Sequence, residues 1–263
     1  MPQDGGWSLP RFRLDGTKWL VNSYHVNQAI QRGLGVNVTV LHCAHDYRNS
    51  GSDNRMDSVY LMENHSPLWE PPAEGRWCSR DEIAGLPFNQ PDQQTAIEAC
   101  FAEAESDDAP EHRRPWERAG WYDPAVEWIR SELSASGYAP TGPVEQIKNW
   151  CISNILRVPT TAGHFYFKQA GGSTLFADEA PLTQALASMY PDNVPAPLAI
   201  DADRHWMLSP DFGEVIRGAD IATLERFLRE FGEIQRDSST RLDELFAAGC
   251  RDRRYPRPVC PER

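Results

Sequence analysis

Long apolar runs are absent from this chain of 263 residues. A membrane-spanning helix needs about 20 consecutive apolar residues, and no stretch approaches that, so no membrane partner is expected. The opening MPQDGGWSLPRF has no basic segment leading into an apolar run, which argues against a secretory leader. Basic residues are scarce. Lys and Arg number 26 against 38 Asp and Glu, a net charge of −12, and the pI is about 5.0. Binding a phosphate backbone requires a basic surface, so nucleic acid is not an expected partner. A small anion held by one or two lysines remains compatible. Cysteines number 6, and no two form a CxxC pair. That spacing argues against a zinc site or a disulfide framework and suits reduced thiols in the cytoplasm.

Apolar residues make up 40% of the chain, enough for real cores, and the length suits two ordinary domains. Residues 1–105 read as a first domain. Trp19 to His25 reads as a strand and Asn27 to Leu34 as a helix closed by Gly35. Val36 to His45 alternates like a half-buried strand. A polar loop from Tyr47 to Asp57 leads to a strand at Ser58 to Glu63. Arg76 to Ser79 reads as a short strand, Asp81 to Leu86 as a helical turn and Gln93 to Ala104 as an amphipathic helix.

This order resembles a Nudix-type α/β sandwich, with VNQAIQRGLGVNVTVL where that family keeps its metal-binding helix. The family signature needs an Arg-Glu pair and two adjacent glutamates ahead of a glycine, because carboxylates must hold Mg²⁺ against a diphosphate. Matching Gly35 to that glycine puts Arg32 and Gly33 at the glutamate positions and Gln28 and Ala29 at the Arg-Glu pair. A working hydrolase is therefore not expected. A degenerate Nudix-like domain kept for packing or binding is.

Residues 106–120 are charged and proline-bearing and read as a linker. Pro124 to Ser136 reads as a helix with Val126, Ile129 and Leu133 on one face, stopped by Gly137. Trp116, Trp121, Tyr122 and Trp128 read as packing between domains. Three short strands follow, Val144 to Trp150, Ser153 to Val158 and His164 to Gln169. The turn ahead of the third contains Gly163, free to take positive φ. The third strand is aromatic and closes on Lys168. A buried ammonium is costly unless an anion or a carboxylate meets it; a lysine snorkelling from a strand end is the ordinary alternative. Glu179 to Met189 has helical spacing with Asp178 as N-cap, and Leu198 to Asp201 with His205 to Ser209 reads as a hairpin. Ala222 to Gln235 is strongly amphipathic, with Leu224, Phe227, Leu228, Phe231 and Ile234 on the side expected to be buried. Leu242 to Ala248 is a last helical piece.

Three strands ending on a lysine, a helix opening with a glutamate, two more strands and a linker resemble the small lobe of a kinase-like fold. ISNILRVPTTAGHFYFK, EAPLTQALASMYPDNVPAPL, WMLSPDFGE and LDELFAAGCRDRR are similar to the aminoglycoside phosphotransferase group, especially members with a Nudix-like domain in front. The fold expected is α+β. A Nudix-like sandwich precedes a five-stranded antiparallel kinase-like small lobe over 121–213 and a helical piece over 214–263.

The resemblance implies ATP and Mg²⁺ as ligands and a small-molecule hydroxyl or amine as phosphate acceptor. It implies that Lys168 reaches the α- and β-phosphates and that Glu179 holds it there. Ser153 would offer a hydroxyl to phosphate, or is an ordinary turn serine. Met207, Leu208 and Ser209 would present backbone groups to the purine edge, or are plain core. Asp211-Phe212-Gly213 spells a magnesium motif but directly follows the fifth strand, and it is read as hinge. No histidine has an aspartate two places on, so the base and metal-binding run of the family is missing. Residues 212–263 are too few for a large lobe, and the tail from Tyr255 looks like a prematurely ended or frameshifted gene. The expectation is an inactive or nucleotide-binding-only fragment. An apolar helix face would be left uncovered, and self-association is expected from it. The alternative is a non-catalytic binding or regulatory module built on the Nudix-like fold.

Overall fold

The structure, a computed structural model, describes residues 2–3, 6–14, 22–48, 56–105, 113–171, 178–214 and 216–252. The protein is mixed α+β and divides into two compact units, Met1–Thr161 and Ala162–Arg263.

In the first unit, β1 (Pro2–Gln3) pairs with β2 (Gly6–Trp7). The helix α1 (Ser23–Leu34) then buries Val26 and Ile30 against Val36 and Val40, with Phe12 and Trp69 around them. Gly35 ends α1 at φ 69°, returning its N–H to the Gln31 carbonyl at 2.8 Å, a left-handed conformation that a β-carbon would strain. The antiparallel pair β3 (Val38–Arg48) and β4 (Met56–Asn64) follows, with register shifts after Val40 and Cys43. Next come α2 (Arg80–Ala84), α3 (Pro91–Glu105), a 3₁₀ turn at Pro115–Glu117 and α4 (Tyr122–Ala135). Trp116, Ala125, Ile129 and Leu133 are fully buried, so the helical period of α4 delivers a core stripe. Two strands close the unit: β5 (Glu145–Asn149) and β6 (Ser153–Thr160).

Two expectations for this unit are corrected. Tyr24 and His25 lie in α1 rather than in a strand, while Trp19 to Val21 fall outside the described residues. Ser23 and Val26 are buried at helical spacing, so the residues around His25 obey a period of 3.6 rather than 2. Arg76 to Ser79 forms no strand; Ser79 caps α2 instead, with its N–H on Glu82 Oε2 at 2.8 Å.

The second unit holds β7 (Gly163–Ala170), α5 (Glu179–Met189), β8 (Ala199–Asp201), β9 (Trp206–Pro210), α6 (Ile221–Ser238) and α7 (Leu242–Ala247). In the first unit β5 pairs with β6 antiparallel, and in the second β7, β9 and β8 form an antiparallel sheet in the order β7-β9-β8. Within this unit, Phe167 pairs with Leu208 and Lys168 with Met207. Phe165, Phe167 and Gln169 are buried on one side of β7, and Tyr166 and Lys168 alternate to the other.

The amphipathic helix is also corrected. α6 buries no residue: Leu224, Phe227, Leu228 and Phe231 are 50%, 64%, 64% and 49% exposed. Its apolar stripe is real, but nothing in the described chain covers it.

Candidate functional site

The site builds from the alternation of β7. With Phe165 and Phe167 turned into the core, Lys168 must point to the opposite face. Directly across on β9 stands Met207; Ser209 faces Tyr166, and Ile200 of β8 faces Met207. Residues opposite one another share a face, so Tyr166, Lys168, Ile200, Met207 and Ser209 make one surface.

Glu179 is the first residue of α5. Its Oε1 accepts a hydrogen bond from Lys168 Nζ at 2.5 Å, and the two side chains are 30% and 27% exposed. The carboxylate sits in the first turn, where the helix dipole favours negative charge. Oε2 of Glu179 is buried and has no hydrogen-bond partner among the described residues. Asp178 does not cap α5 with its side chain. Its carboxylate accepts from Arg251 Nε at 2.7 Å, while its carbonyl takes the Leu182 N–H. The beginning of α5 thus gathers two carboxylates and two cations, and the Lys168 side chain is partly open to solvent.

The other proposed contacts are distributed as follows. Leu208 is fully buried on the face away from Lys168, and its carbonyl accepts from the Leu198 N–H at 2.7 Å. Ser209 is 5% exposed, with an Oγ that has no partner among the described residues. Ser153 belongs to the first unit. It opens β6, is 4% exposed, and its carbonyl accepts from Trp150 N–H across a tight turn. Asp211 folds back on its own turn, its Oδ1 accepting from Gly213 N–H at 3.0 Å, and Phe212 is exposed. No group of three or more His, Cys, Asp or Glu side chains is arranged for a metal among the described residues.

A crevice of about 250 Å³ elsewhere in this unit is lined by Tyr190, Asn193, Glu230, Ile234 and Asp237. Its carboxylates disfavour an anionic ligand, and neither Lys168 nor Glu179 lines it.

The helix compared with the Nudix metal helix is α1. A β-carbon on Gly33 would collide with Phe12 Cε1, so a glutamate where that family has one would have to displace this ring. Arg32 Nε donates to the Gln28 carbonyl at 3.2 Å.

Sequence reasoning missed Tyr166 as a neighbour of Lys168, although its place two residues earlier on the same strand was the signal. It also missed Arg251, whose approach to Asp178 depends on the chain turning back at Gly249, which lies against Asp178. No short motif reports such a long-range return. Comparison with family models, with curated proteins and with solved structures finds no match for this chain.

Proposed function

We propose that the second unit holds the phosphates of a purine nucleotide, ATP in the first place, through Lys168. In this reading it works as a kinase-like small lobe similar to that of aminoglycoside phosphotransferases. The observation that carries the proposal is the 2.5 Å contact between Lys168 Nζ and Glu179 Oε1. A lysine at the end of an apolar strand is held by a helix carboxylate while its side chain is partly exposed, and a kinase-like fold presents such a lysine to phosphate oxygens. Met207 and Ser209 on the same face supply a wall for a base. Mg²⁺ would arrive with the nucleotide, since the described residues offer no metal cluster of their own. The chain contains no His-x-Asp run to orient an acceptor hydroxyl, so binding without transfer is the activity proposed for it. The first unit is proposed to be a non-catalytic Nudix-like scaffold, a reading supported by the packing of Phe12 on Gly33.

The test is an equilibrium titration of the full chain with ATP and Mg²⁺. Lys168→Ala and Glu179→Gln are each expected to weaken binding by about tenfold or more, the loss typical of a charged hydrogen bond. Undiminished affinity in Lys168→Ala removes the phosphate role.

A further inference from the structure

The second unit exposes a continuous apolar face that the nucleotide reading does not use. On α6, Ile221, Leu224, Leu228 and Phe231 recur at intervals of three and four, with Phe227 beside them. Ile221 is 75% exposed and the other four are about half exposed or more. Large apolar side chains present roughly 150–250 Å² each, so these five leave on the order of 500 Å² uncovered. The helix is fastened at its other end. Tyr190 Oη donates to Asp237 Oδ2 at 2.8 Å and lies 3.0 Å from Ser238 Oγ. The apolar part lies uncovered, and an exposed patch of this size is of the kind interaction surfaces use.

We infer that this face pairs with the same face of a second copy, α6 antiparallel to α6 about a two-fold axis near Phe227 and Leu228. Three features select this occupant. The first is self-complementary charge. Glu225 and Arg229 flank one edge of the stripe, both exposed, and neither has an ion-pair partner among the described residues. A two-fold axis between them sets Glu225 of each copy across from Arg229 of the other.

The second is Gly232. A glycine inside a helix costs about 1 kcal/mol relative to alanine, and a β-carbon there would meet nothing within 4 Å. Packing within the chain does not require it. The same two-fold axis brings Ala222 of the second copy opposite Gly232, where the missing side chain lets the two helices approach. The third is local charge balance. The chain carries −12, yet the four acidic and three basic residues of α6 leave that helix at only −1, so a second copy meets little of the repulsion the rest of the surface would bring. Burying both faces removes about 1,000 Å² from water, where specific interfaces begin. A closed two-fold also leaves no free apolar edge for further growth.

Sedimentation velocity and light scattering on the full chain test the pairing. Wild type is expected to be a dimer from low micromolar concentration upward, and Leu228→Glu a monomer with unchanged circular dichroism whose melting temperature no longer rises with protein concentration. Glu225→Arg and Arg229→Glu are each expected to weaken the dimer by about tenfold, and the double swap to restore it, as reciprocal pairing across the axis requires. A monomeric wild type, whether or not it binds vesicles or another protein, overturns the inference. So do open-ended aggregates in place of a dimer, a Leu228→Glu variant that still dimerises, and a double swap that fails to restore pairing.

Discussion

The side-chain amide of Gln146 satisfies both backbone groups of Val40. Its Oε1 accepts from Val40 N–H at 2.8 Å and its Nε2 donates to Val40 carbonyl at 2.9 Å. Val40 stands where the β3–β4 register shifts, and Asn149 adds a donor to the same carbonyl at 2.7 Å. Gln146 is 3% exposed and Val40 4%, so water cannot replace these bonds. Gln146→Leu is expected to destabilise the protein by about 1–3 kcal/mol, because the buried Val40 N–H loses its partner while the carbonyl keeps only Asn149. Urea unfolding followed by fluorescence measures it. A loss below half a kilocalorie would mean the bulge finds other partners.

A change of pH acts on the same unit through two histidines. Burial lowers the pKa of His42, and the charge of Arg113 lowers it further against a smaller opposing pull from Glu117. Burial also lowers that of His65, against the pull of Glu63 and Asp123. Nearby Glu103, 3.9 Å from His42 Nε2, is too distant to reverse the effect of burial. A lowered pKa means the unfolded chain takes up a proton before the folded one does. Stability is therefore complete above the ordinary histidine range and falls as pH drops through about 6.5 and below, by at most about 1.4 kcal/mol per pH unit for each histidine. His42→Gln combined with His65→Gln is expected to flatten the melting-temperature profile between neutral and mildly acidic pH. A profile equally steep in the double variant would assign the slope to other groups.

Tyr122 gives the opposite dependence at the alkaline end. Its hydroxyl donates to the Val144 carbonyl at 2.5 Å, and its pKa is pushed up to about 12, chiefly by burial. The unfolded chain loses this proton near pH 10 while the folded chain keeps it, so stability falls as pH rises from 10 towards 12. The loss is on the order of 2 kcal/mol. Tyr122→Phe should remove that alkaline loss while costing about 1 kcal/mol at neutral pH for the missing hydrogen bond. Alkaline absorbance titration should show one tyrosine in the folded wild type that ionises late and is absent from the variant.

These residues also mark what the sequence made legible. Lys168 and Glu179 are separated by one strand end and one helix start, so local spacing brings them to notice and the geometry places them together. The helical period of α4 and α5 is likewise local. Gln146 and Asn149 were readable only in part, as polar residues in a strand otherwise fit for burial. Their partner Val40 lies more than a hundred residues away, and no periodicity encodes that distance. The face of α6 shows the converse. Periodicity identifies an apolar stripe but not what covers it, so the same stripe reads both as a buried side and, from the missing large lobe, as a face left uncovered, and only the structure shows it exposed.

The ion pair of Lys168 and Glu179 separates a stabilising role from a binding one. Both side chains are about 30% exposed, and ion pairs so open to water contribute roughly 0–1 kcal/mol. Lys168→Met is expected to shift the unfolding midpoint little, because the methionine stem keeps the packing of the lysine chain while only the ammonium is removed. If Lys168 serves phosphate, the same substitution should cost about tenfold or more in ATP affinity. Arg251→Ala offers a control on the neighbouring carboxylate: freeing Asp178 leaves Lys168 in place but adds uncompensated negative charge beside it, and should weaken ATP binding by a smaller factor that shrinks in high salt. A Lys168→Met variant that loses stability and keeps its nucleotide affinity would assign the pair to the fold alone.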